Sequence, residues 1–341
     1  MFKKGVSIFT GLKDYSLDDN LKYLHLAHQE GYEIVFSSCH INEASIAIDE
    51  LQKVIDETCR LGMKLSLDIS KPMYDKLILP KNLYALRLDY GFSEEDMIQM
   101  TNTGNFKIEL NASTVSKARL LKLIEKGLNP SNIRMSFNYY PKLHTAHSID
   151  FCKEVVKFCH ELNISVGAFL PSSFGKRPPM YEGLPSVEKH RKMELDLAIE
   201  EFKAIGVDEI LFGDAYASID ELKTLSFHQT DHLLVKFIPY EGFDKFSYLE
   251  GTFKIRRDIS PELLRISSKR TNDNILPFNT IERKKYDVTI DNDGFLRYKG
   301  EVNIVMMDLE KDERVNVVGK INTTEVVLKE IEMGKEFTFI K

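Results

Sequence analysis

Two neighbouring runs decide the fold of this chain: Ala85-Leu-Arg-Leu-Asp-Tyr-Gly91 and Lys107-Ile-Glu-Leu-Asn-Ala-Ser-Thr114. Each is typical of a buried strand, and a short acidic helix is predicted between them. Because successive strand residues point to opposite sides, Arg87 and Asp89 share one face, and the polar residues of the second run also share one. Charged groups are rarely buried without partners. Adjacent strands that both end in such groups indicate the mouth of a parallel barrel.

The same alternation of strand and helix patterns extends from Gly5 to about residue 225. The helices are amphipathic, and the first begins at a capping residue, Ser16, followed by aspartates suited to its positive end. Eight strand-then-helix units in this length predict an α/β fold, a (β/α)8 TIM barrel over residues 1–226. An open doubly wound sheet is the alternative, but no G-x-G-x-x-G follows the first strand, and there is no Walker A sequence.

After about Phe227 the helical periodicity fades and short β-rich runs replace it. Among them are Tyr286–Ile290 and Gly300–Met307, with an Asn292-Asp293-Gly294 turn signal between them. We therefore expect a second domain over residues 227–341, a small all-β barrel or sandwich.

The composition excludes several classes of protein. The 341 residues carry a net charge of −6, so no general basic field is present to attract nucleic acid or a membrane surface. No apolar run approaches the ~20 residues of a membrane helix, and the N-terminal one is too short for a signal peptide. The four cysteines show no C-x-x-C spacing. These features predict a cytoplasmic protein, and they leave both a monomer and a homodimer open.

Polar side chains at the predicted strand ends are expected to converge on one pocket. Several carboxylates together suit acid/base and glycosidic chemistry, because like charges and desolvation raise the pKa of one of them. They also suit a divalent metal. A structural ion pair between Arg87 and Asp89, and helix caps at Asp68 and Asp214, remain the alternatives. The strand-end candidates are His40, Asp68, Arg87, Asp89, Glu109, Asn111, Asn138, Tyr140 and Asp214.

The segment from Gly175 to Arg191, after the seventh predicted strand, is a long loop rich in proline and charge. Long loops in compact barrels are usually functional. Arg177 is suited to bidentate recognition of phosphate or carboxylate, and Tyr181 can stack on a sugar. A rigid connector with solvated charges is the alternative interpretation.

Several of these segments, taken together, resemble the 6-phospho-N-acetylmuramidase family. These proteins are cytoplasmic bacterial glycosidases of peptidoglycan recycling, and the likeness covers almost the whole chain, including a tail similar to their cyclophilin-like β-barrel. One departure lies after the second strand, where Cys39-His-Ile-Asn-Glu43 replaces the family's Leu-His-Ile-Pro-Glu. The segments that carry the resemblance are Gly5-Val-Ser-Ile-Phe9, Leu86-Arg-Leu-Asp-Tyr-Gly-Phe92, Ile108-Glu-Leu-Asn-Ala-Ser-Thr114, Phe137-Asn-Tyr-Tyr-Pro141, Tyr181-Glu-Gly-Leu-Pro185, Glu188-Lys-His-Arg191, Phe212-Gly-Asp214, Tyr286-Asp-Val-Thr-Ile-Asp-Asn292 and Tyr298-Lys-Gly-Glu301.

The resemblance implies hydrolysis of the β-1,4 bond between N-acetylmuramic acid 6-phosphate and N-acetylglucosamine, with no cofactor. The expected catalytic pair is Asp89 and Glu109, with Asp214 in reserve. The N-acetyl group of the substrate is an alternative nucleophile. Residues expected to bind this phosphorylated amino-sugar disaccharide are His40, Asp68, Arg87, Asn111, Asn138, Tyr140, Arg177, Tyr181, Glu182 and His190.

Two other functions remain open from the sequence. One is a metal-dependent sugar-phosphate isomerase or epimerase, with His40, Glu109 and Asp214 as metal ligands. The other is a non-catalytic protein that binds sugar phosphates, with the β domain as an interaction module.

Overall fold

The computed structural model describes residues 1–38, 48–80, 83–267 and 271–341. The chain divides into two compact units, Met1–Gln229 and Thr230–Lys341. The sequence placed the boundary between residues 226 and 227.

The first unit is a closed barrel of eight parallel strands, so the α/β barrel prediction is confirmed. Each strand pairs with the next along the chain, and the last closes on the first with Val6 opposite Phe212. The strands are β1 (Lys3–Ser7), β2 (Ile34–Ser38), β3 (Lys64–Ile69), β4 (Ala85–Leu88), β5 (Lys107–Asn111), β6 (Ile133–Ser136), β7 (Ser165–Leu170) and β8 (Glu209–Phe212).

Helices follow the strands around the barrel, and serine side chains cap many of them. Ser16 accepts a hydrogen bond from the backbone N–H of Asp19, as expected, and the hydroxyl of Ser93 caps its helix in a reciprocal capping box with Asp96. The helices are α1 (Leu17–Gln29), α2 (Ile48–Arg60), α3 (Lys71–Tyr74), α4 (Glu94–Thr103), α5 (Lys117–Glu125), α6 (Ile149–Glu161), α7 (Leu195–Ile205) and α8 (Ile219–Phe227).

The segment before α7 is not continuous with that helix. It forms a short 3-10 helix, Glu188–Arg191, and α7 begins only at Leu195. The guanidinium of Arg191 bonds the carboxylate of Glu188 and the carbonyl of Gly183. These contacts join the 3-10 helix to the preceding loop.

A hydrophobic cluster fills the barrel near the carboxyl ends of its strands. Its aromatic members include Phe9, Phe36 and Phe169, and the partly buried ring of Tyr139 packs against it. The rings of Phe169 and Tyr139 meet edge to face with centroids 5.2 Å apart. The polar side chains at the mouth of the barrel therefore lie on an apolar base. No helix among the described residues combines the length and apolarity needed to cross a membrane.

The second unit is a mixed seven-stranded sheet in the order β10-β15-β9-β14-β12-β13-β11. It also contains the helix α9 (Glu325–Glu332), capped by Thr324, which differs from the all-β expectation. The helix is short and contains adjacent valines, a pattern that strand and helix share. The strands are β9 (Leu233–Pro239), β10 (Thr252–Phe253), β11 (Leu263–Arg265), β12 (Asp287–Asp291), β13 (Val302–Val305), β14 (Val315–Asn322) and β15 (Phe337–Ile340).

Candidate active site at the mouth of the barrel

Arg87 on β4 joins polar side chains of several strands inside the barrel. Its Nη1 donates to Ser136 Oγ at 2.9 Å, and its Nη2 donates to Asn138 Oδ1. Its Nε lies 3.8 Å from Asp68 Oδ1, and its Nη1 lies 3.6 Å from Glu109 Oε1. Arg87 thus connects residues from β3 to the end of β6, and its ion pairs are with Asp68 and Glu109.

Asp68, at the end of β3, is the carboxylate of this group that solvent reaches. Its side chain is 17% exposed, whereas that of Glu109 is fully buried. Ser38 Oγ donates to Asp68 Oδ2 at 3.0 Å. The hydroxyl and Arg87 hold the carboxylate in place.

Glu109 lies one layer deeper and is enclosed by donors. Its Oε2 accepts from Ser66 Oγ at 2.5 Å and lies 2.7 Å from Arg134 Nη1. Ser136 Oγ donates to the other oxygen. Burial raises the pKa of Glu109, but Arg134, Arg87 and the two hydroxyls outweigh it and bring the pKa below its ordinary value. A fully buried, ionised carboxylate cannot touch a sugar, so the expected direct catalytic role of Glu109 does not fit this geometry.

The buried network continues toward the amino ends of the strands through residues that the sequence reasoning missed. Arg134 on β6 also pairs with Glu209 on β8, whose carboxylate accepts from the Tyr84 hydroxyl. The ring of Tyr84 lies under the Arg134 guanidinium at 5.2 Å. A signal was available: Arg134, Ser136 and Asn138 alternate along one strand and so share one face.

Asp89 follows β4 and its side chain is exposed. Within the described residues, no hydrogen bond or ion pair joins its carboxylate to another side chain. The ion pair weighed between Arg87 and Asp89 is therefore replaced by the pair between Arg87 and Asp68. None of the described side chains occupies the Asp89 carboxylate, so it can meet a ligand.

Two asparagines extend the polar group beside Arg87. Asn111 Nδ2 donates to Asn138 Oδ1 at 3.1 Å, and Asn111 Oδ1 accepts from the Ser113 N–H at 2.9 Å. The Nδ2 of Asn138 makes no hydrogen bond with any described residue. It is available to a sugar hydroxyl or an acetamido carbonyl.

Asp214, after β8, organises the loop that follows β7. Its Oδ2 accepts from the backbone N–H groups of Ser172 and Leu184 at 2.9 and 3.0 Å, and its Oδ1 accepts from the Arg177 N–H at 3.1 Å. Burial raises the pKa of this carboxyl, and the three amide hydrogen bonds oppose the rise. Because both oxygens are occupied by backbone groups, the geometry fits a loop anchor and not the reserve catalytic role.

Arg177 lies across the apolar base of the mouth. Its guanidinium is 5.1 Å from the ring centroid of Phe9, after β1, and 5.4 Å from that of Tyr139, after β6. The residue is 7% exposed, and its Nε is enclosed without a hydrogen-bond partner. The sequence singled out Arg177 but missed its neighbour Tyr139.

Three other candidates bond other protein side chains, and a fourth, Glu182, lines a cavity. His190 is buried and bonds Glu201 on α7 at 2.8 Å; burial lowers its pKa, and the carboxylate only partly restores it. The Tyr140 hydroxyl lies 2.9 Å from Nε2 of His147. Tyr181 is exposed and donates to Asp14. With His190, Glu182 lines a cavity of about 360 Å³ that also includes residues of α7 and α8. A substrate contact is therefore better supported for Arg177 and Asn138 than for these four.

The expected metal ligands do not form a set in the part of the chain that is described. His40 lies outside the described residues. Glu109 faces guanidinium and hydroxyl groups, and Asp214 faces backbone amides. No three His, Cys, Asp or Glu side chains among the described residues are grouped so that they could hold a metal ion.

The fold and the site define a (β/α)8-barrel protein with carboxylate, amide and guanidinium groups at the carboxyl ends of its strands. The chain belongs to the 6-phospho-N-acetylmuramidase family, which confirms the resemblance. The model of the family's N-terminal domain matches residues 4–227, and that of its C-terminal domain matches residues 239–340. The family name supports a glycosidase role for the chain.

Two solved structures are similar over nearly the whole chain. An uncharacterized protein of B. cereus has a TM-score of 0.86 and 24% sequence identity, with all of both chains covered. A conserved protein of unknown function from Enterococcus faecalis has a TM-score of 0.71 and 27% identity, covering 99% of this chain and 96% of its own. No curated protein matches the sequence.

Proposed function

We propose that this protein hydrolyses the β-1,4 bond between N-acetylmuramic acid 6-phosphate and N-acetylglucosamine, in peptidoglycan recycling in the cytoplasm. The observation that carries the proposal is the accessible carboxylate of Asp68, held by Ser38 and Arg87 at the barrel mouth. The mouth is where this fold places its chemistry, and the family name supports the phosphorylated muramyl substrate.

The two carboxylates of the mouth suit the two roles that glycoside hydrolysis needs. The ion-paired Asp68 is suited to attack, to activate water or to stabilise positive charge on the sugar. The exposed Asp89 has no competing partner among the described residues and is the candidate for the second carboxyl group of the mechanism. In this assignment Asp68 takes the place that the sequence suggested for Glu109.

Glu109 supports the site from the barrel interior. Its ionised carboxylate lies 3.6 Å from Arg87 and so helps to keep that guanidinium in the barrel interior, from where it reaches both Asp68 and Asn138. Glu109 is thus a positioning residue in this proposal. The amide Nδ2 of Asn138, directed by its Oδ1 contacts, is the expected partner of a sugar hydroxyl or the N-acetyl group.

The test compares the muramyl disaccharide with and without its 6-phosphate, each in the presence of a chelator. Release of N-acetylglucosamine from the phosphorylated form alone is the expected result. Activity that needs added metal would contradict the metal-free mechanism. Tight binding with no cleavage under any condition would indicate a sugar-phosphate binding protein.

A further inference from the structure

We infer that Arg177 binds the oxyanion that distinguishes the substrate, and that Asp214 positions Arg177 through its backbone. The inference rests on the proposed function and deepens it, because it assigns substrate selectivity to one side chain. A phosphorylated muramyl sugar carries two oxyanions, its phosphate and its lactyl carboxylate, and Arg177 binds one of them.

The first argument is the burial of an unsatisfied charge. Arg177 is 93% buried, since it is only 7% exposed, and its Nε has no acceptor. No described residue accepts a hydrogen bond from its terminal nitrogens either. An enclosed Nε without an acceptor is costly, and a ligand oxyanion bound by the guanidinium would supply the missing partner.

The second argument is the contrast with Arg87 in the same barrel. Arg87 is equally buried, but it donates to Ser136 and Asn138 and pairs with two carboxylates. Its donors are directed to the protein. No described residue accepts from the side-chain donors of Arg177, which leaves them for a ligand.

Two other cations of the same loop, Lys189 and Arg191, are engaged with carboxylates. Arg191 bonds the Glu188 carboxylate at 2.7 and 2.9 Å, and Lys189 pairs with Glu201 at 2.6 Å. His190 shares the latter carboxylate, and its lowered pKa keeps the ring neutral near pH 7. The structure thus favours Arg177 over the expected His190 as the anion-binding residue.

The aromatic rings make the orientation of Arg177 suitable for bidentate binding. Phe9 and Tyr139 each lie within 5.4 Å of the guanidinium carbon, so the cation is attracted to the ring faces. A guanidinium held in this way can still present a planar edge of donors to two oxygens of a phosphate or carboxylate.

Asp214 fixes the backbone from which Arg177 extends. Its two oxygens hold the N–H groups of Ser172, Arg177 and Leu184, which are spread over the loop after β7. Gly183 completes the arrangement: it has a φ of +84°, and a Cβ there would lie 3.1 Å from Pro171 Cβ. Asp214 is therefore a positioning residue that acts on the ligand through the backbone of Arg177.

The experiment measures kcat/KM for three disaccharides: the 6-phosphorylated muramyl form, the same without phosphate, and the 6-phosphorylated form without the lactyl group. The variants are R177Q, R177K and D214N, and the charge-matched control is R119Q on the exposed face of α5. Circular dichroism and thermal melting check that each variant folds.

For R177Q we expect kcat/KM to fall ~10²-fold, but only for substrates that carry the anion bound by Arg177. The reason is the loss of two charge-assisted hydrogen bonds. Collapse of the preference for phosphate assigns Arg177 to the phosphate, and collapse of the preference for the lactyl group assigns it to the carboxylate. R177K should keep part of the preference, because it retains charge without the planar fork. R119Q should keep both preferences in full.

D214N should weaken the same substrate preference that R177Q weakens, but by a smaller factor. The change should appear as a higher KM for the preferred substrate. A merely structural Asp214 would lower the rates of all three substrates equally and leave the preferences unchanged, which would overturn its positioning role. Unchanged preferences in R177Q would overturn the assignment of Arg177, even if the wild type cleaves the phosphorylated substrate.

If the wild type cleaves none of the three, the proposed hydrolysis fails, and calorimetry with N-acetylmuramic acid 6-phosphate then tests Arg177 separately. An affinity at least ~10-fold weaker in R177Q than in wild type supports the anion site. Equal affinities, or no binding by wild type, overturn it.

Discussion

Arg134 Nη1 lies 2.7 Å from Glu109 Oε2 inside the barrel, and both side chains are almost completely enclosed. The pair is not isolated, because Arg134 also contacts Glu209 and Arg87 lies 3.6 Å from Glu109. A charge removed from such a group leaves another buried charge without its partner. The ionic network therefore makes the base of the site sensitive to single substitutions.

Replacing Arg134 with Met is expected to destabilise the barrel by ~3–5 kcal/mol, because two buried carboxylates lose their shared cation. The measurement is the free energy of unfolding in urea, with hydrogen exchange at the amides of β5 and β6 to locate the effect.

The matched control is Arg60→Met, which removes an arginine that pairs with Glu57 at a similar distance, 2.6 Å, but is 64% exposed. That exposed pair is expected to contribute little to the free energy of unfolding, because solvent screens it. Equal effects of the two substitutions would contradict the view that burial sets the cost.

Asp68→Asn is expected to lower kcat by ~10²–10⁴-fold and to destabilise the barrel less than Arg134→Met does, because Arg87 keeps Glu109, Ser136 and Asn138 as partners. Hydrolysis of the phosphorylated disaccharide is the assay. Asp18→Asn, an exposed carboxylate in the first turn of α1, is the control and should retain full activity.

Glu109→Gln tests the competing assignment. We expect its loss of activity to be accompanied by a loss of stability, because the neutral amide no longer balances Arg134 and Arg87. A variant of full stability that loses more activity than Asp68→Asn would return the catalytic role to Glu109.

Glu188 should make the loop after β7 sensitive to acid. Its hydrogen bonds with Arg191, and with the Ala146 N–H, lower its pKa to about 2 despite partial burial. A pKa below the unfolded value of about 4.5 means that the stabilisation is present above pH 4.5 and is lost as the pH falls toward 2.

Glu188→Gln should therefore lower the free energy of unfolding at pH 7, and the difference from wild type should shrink at pH 3. Urea unfolding of both proteins at the two pH values measures it. The same difference at pH 7 and pH 3 would show that the charge of Glu188 does not contribute.

Asp291 in the second unit should make stability depend on pH in the opposite direction to Glu188. Burial raises its pKa to about 7, Glu301 and Asp312 add to the rise, and nearby arginines oppose it. The folded state thus binds the proton more tightly than the unfolded chain. Its stabilising effect is present at low pH and is lost as the pH rises from about 3.8 through about 7.

Asp291→Asn, which mimics the protonated acid, is expected to stabilise the second unit by ~1–3 kcal/mol at pH 8.5 and much less at pH 4. Asp293→Asn is the control, since the Ile275 N–H and Lys299 lower the pKa of that half-buried carboxylate. It should be slightly destabilising at pH 8.5. Stabilisation by both substitutions would contradict the proposed cause.

The amino-acid sequence by itself determined the architecture of the first unit. Apolar runs that alternate with amphipathic, serine-capped helices are local patterns, and each of them is satisfied by neighbours within a few residues. The positions of Asp68, Arg87 and Asn138 near strand ends were likewise readable, because strand alternation assigns residues to faces. The helix α9 was missed because its short, valine-containing pattern does not separate helix from strand.

Only the tertiary structure decided which polar residues pair with each other and which meet solvent. Glu109 and Asp68 both look like strand-end carboxylates in the sequence, but the first is enclosed by Arg134 and the second lies at the mouth. Asp214 contacts amides that are 30 to 42 positions away along the chain. Such partners depend on how far each strand is staggered around the closed barrel, and that stagger is a property of all eight strands together.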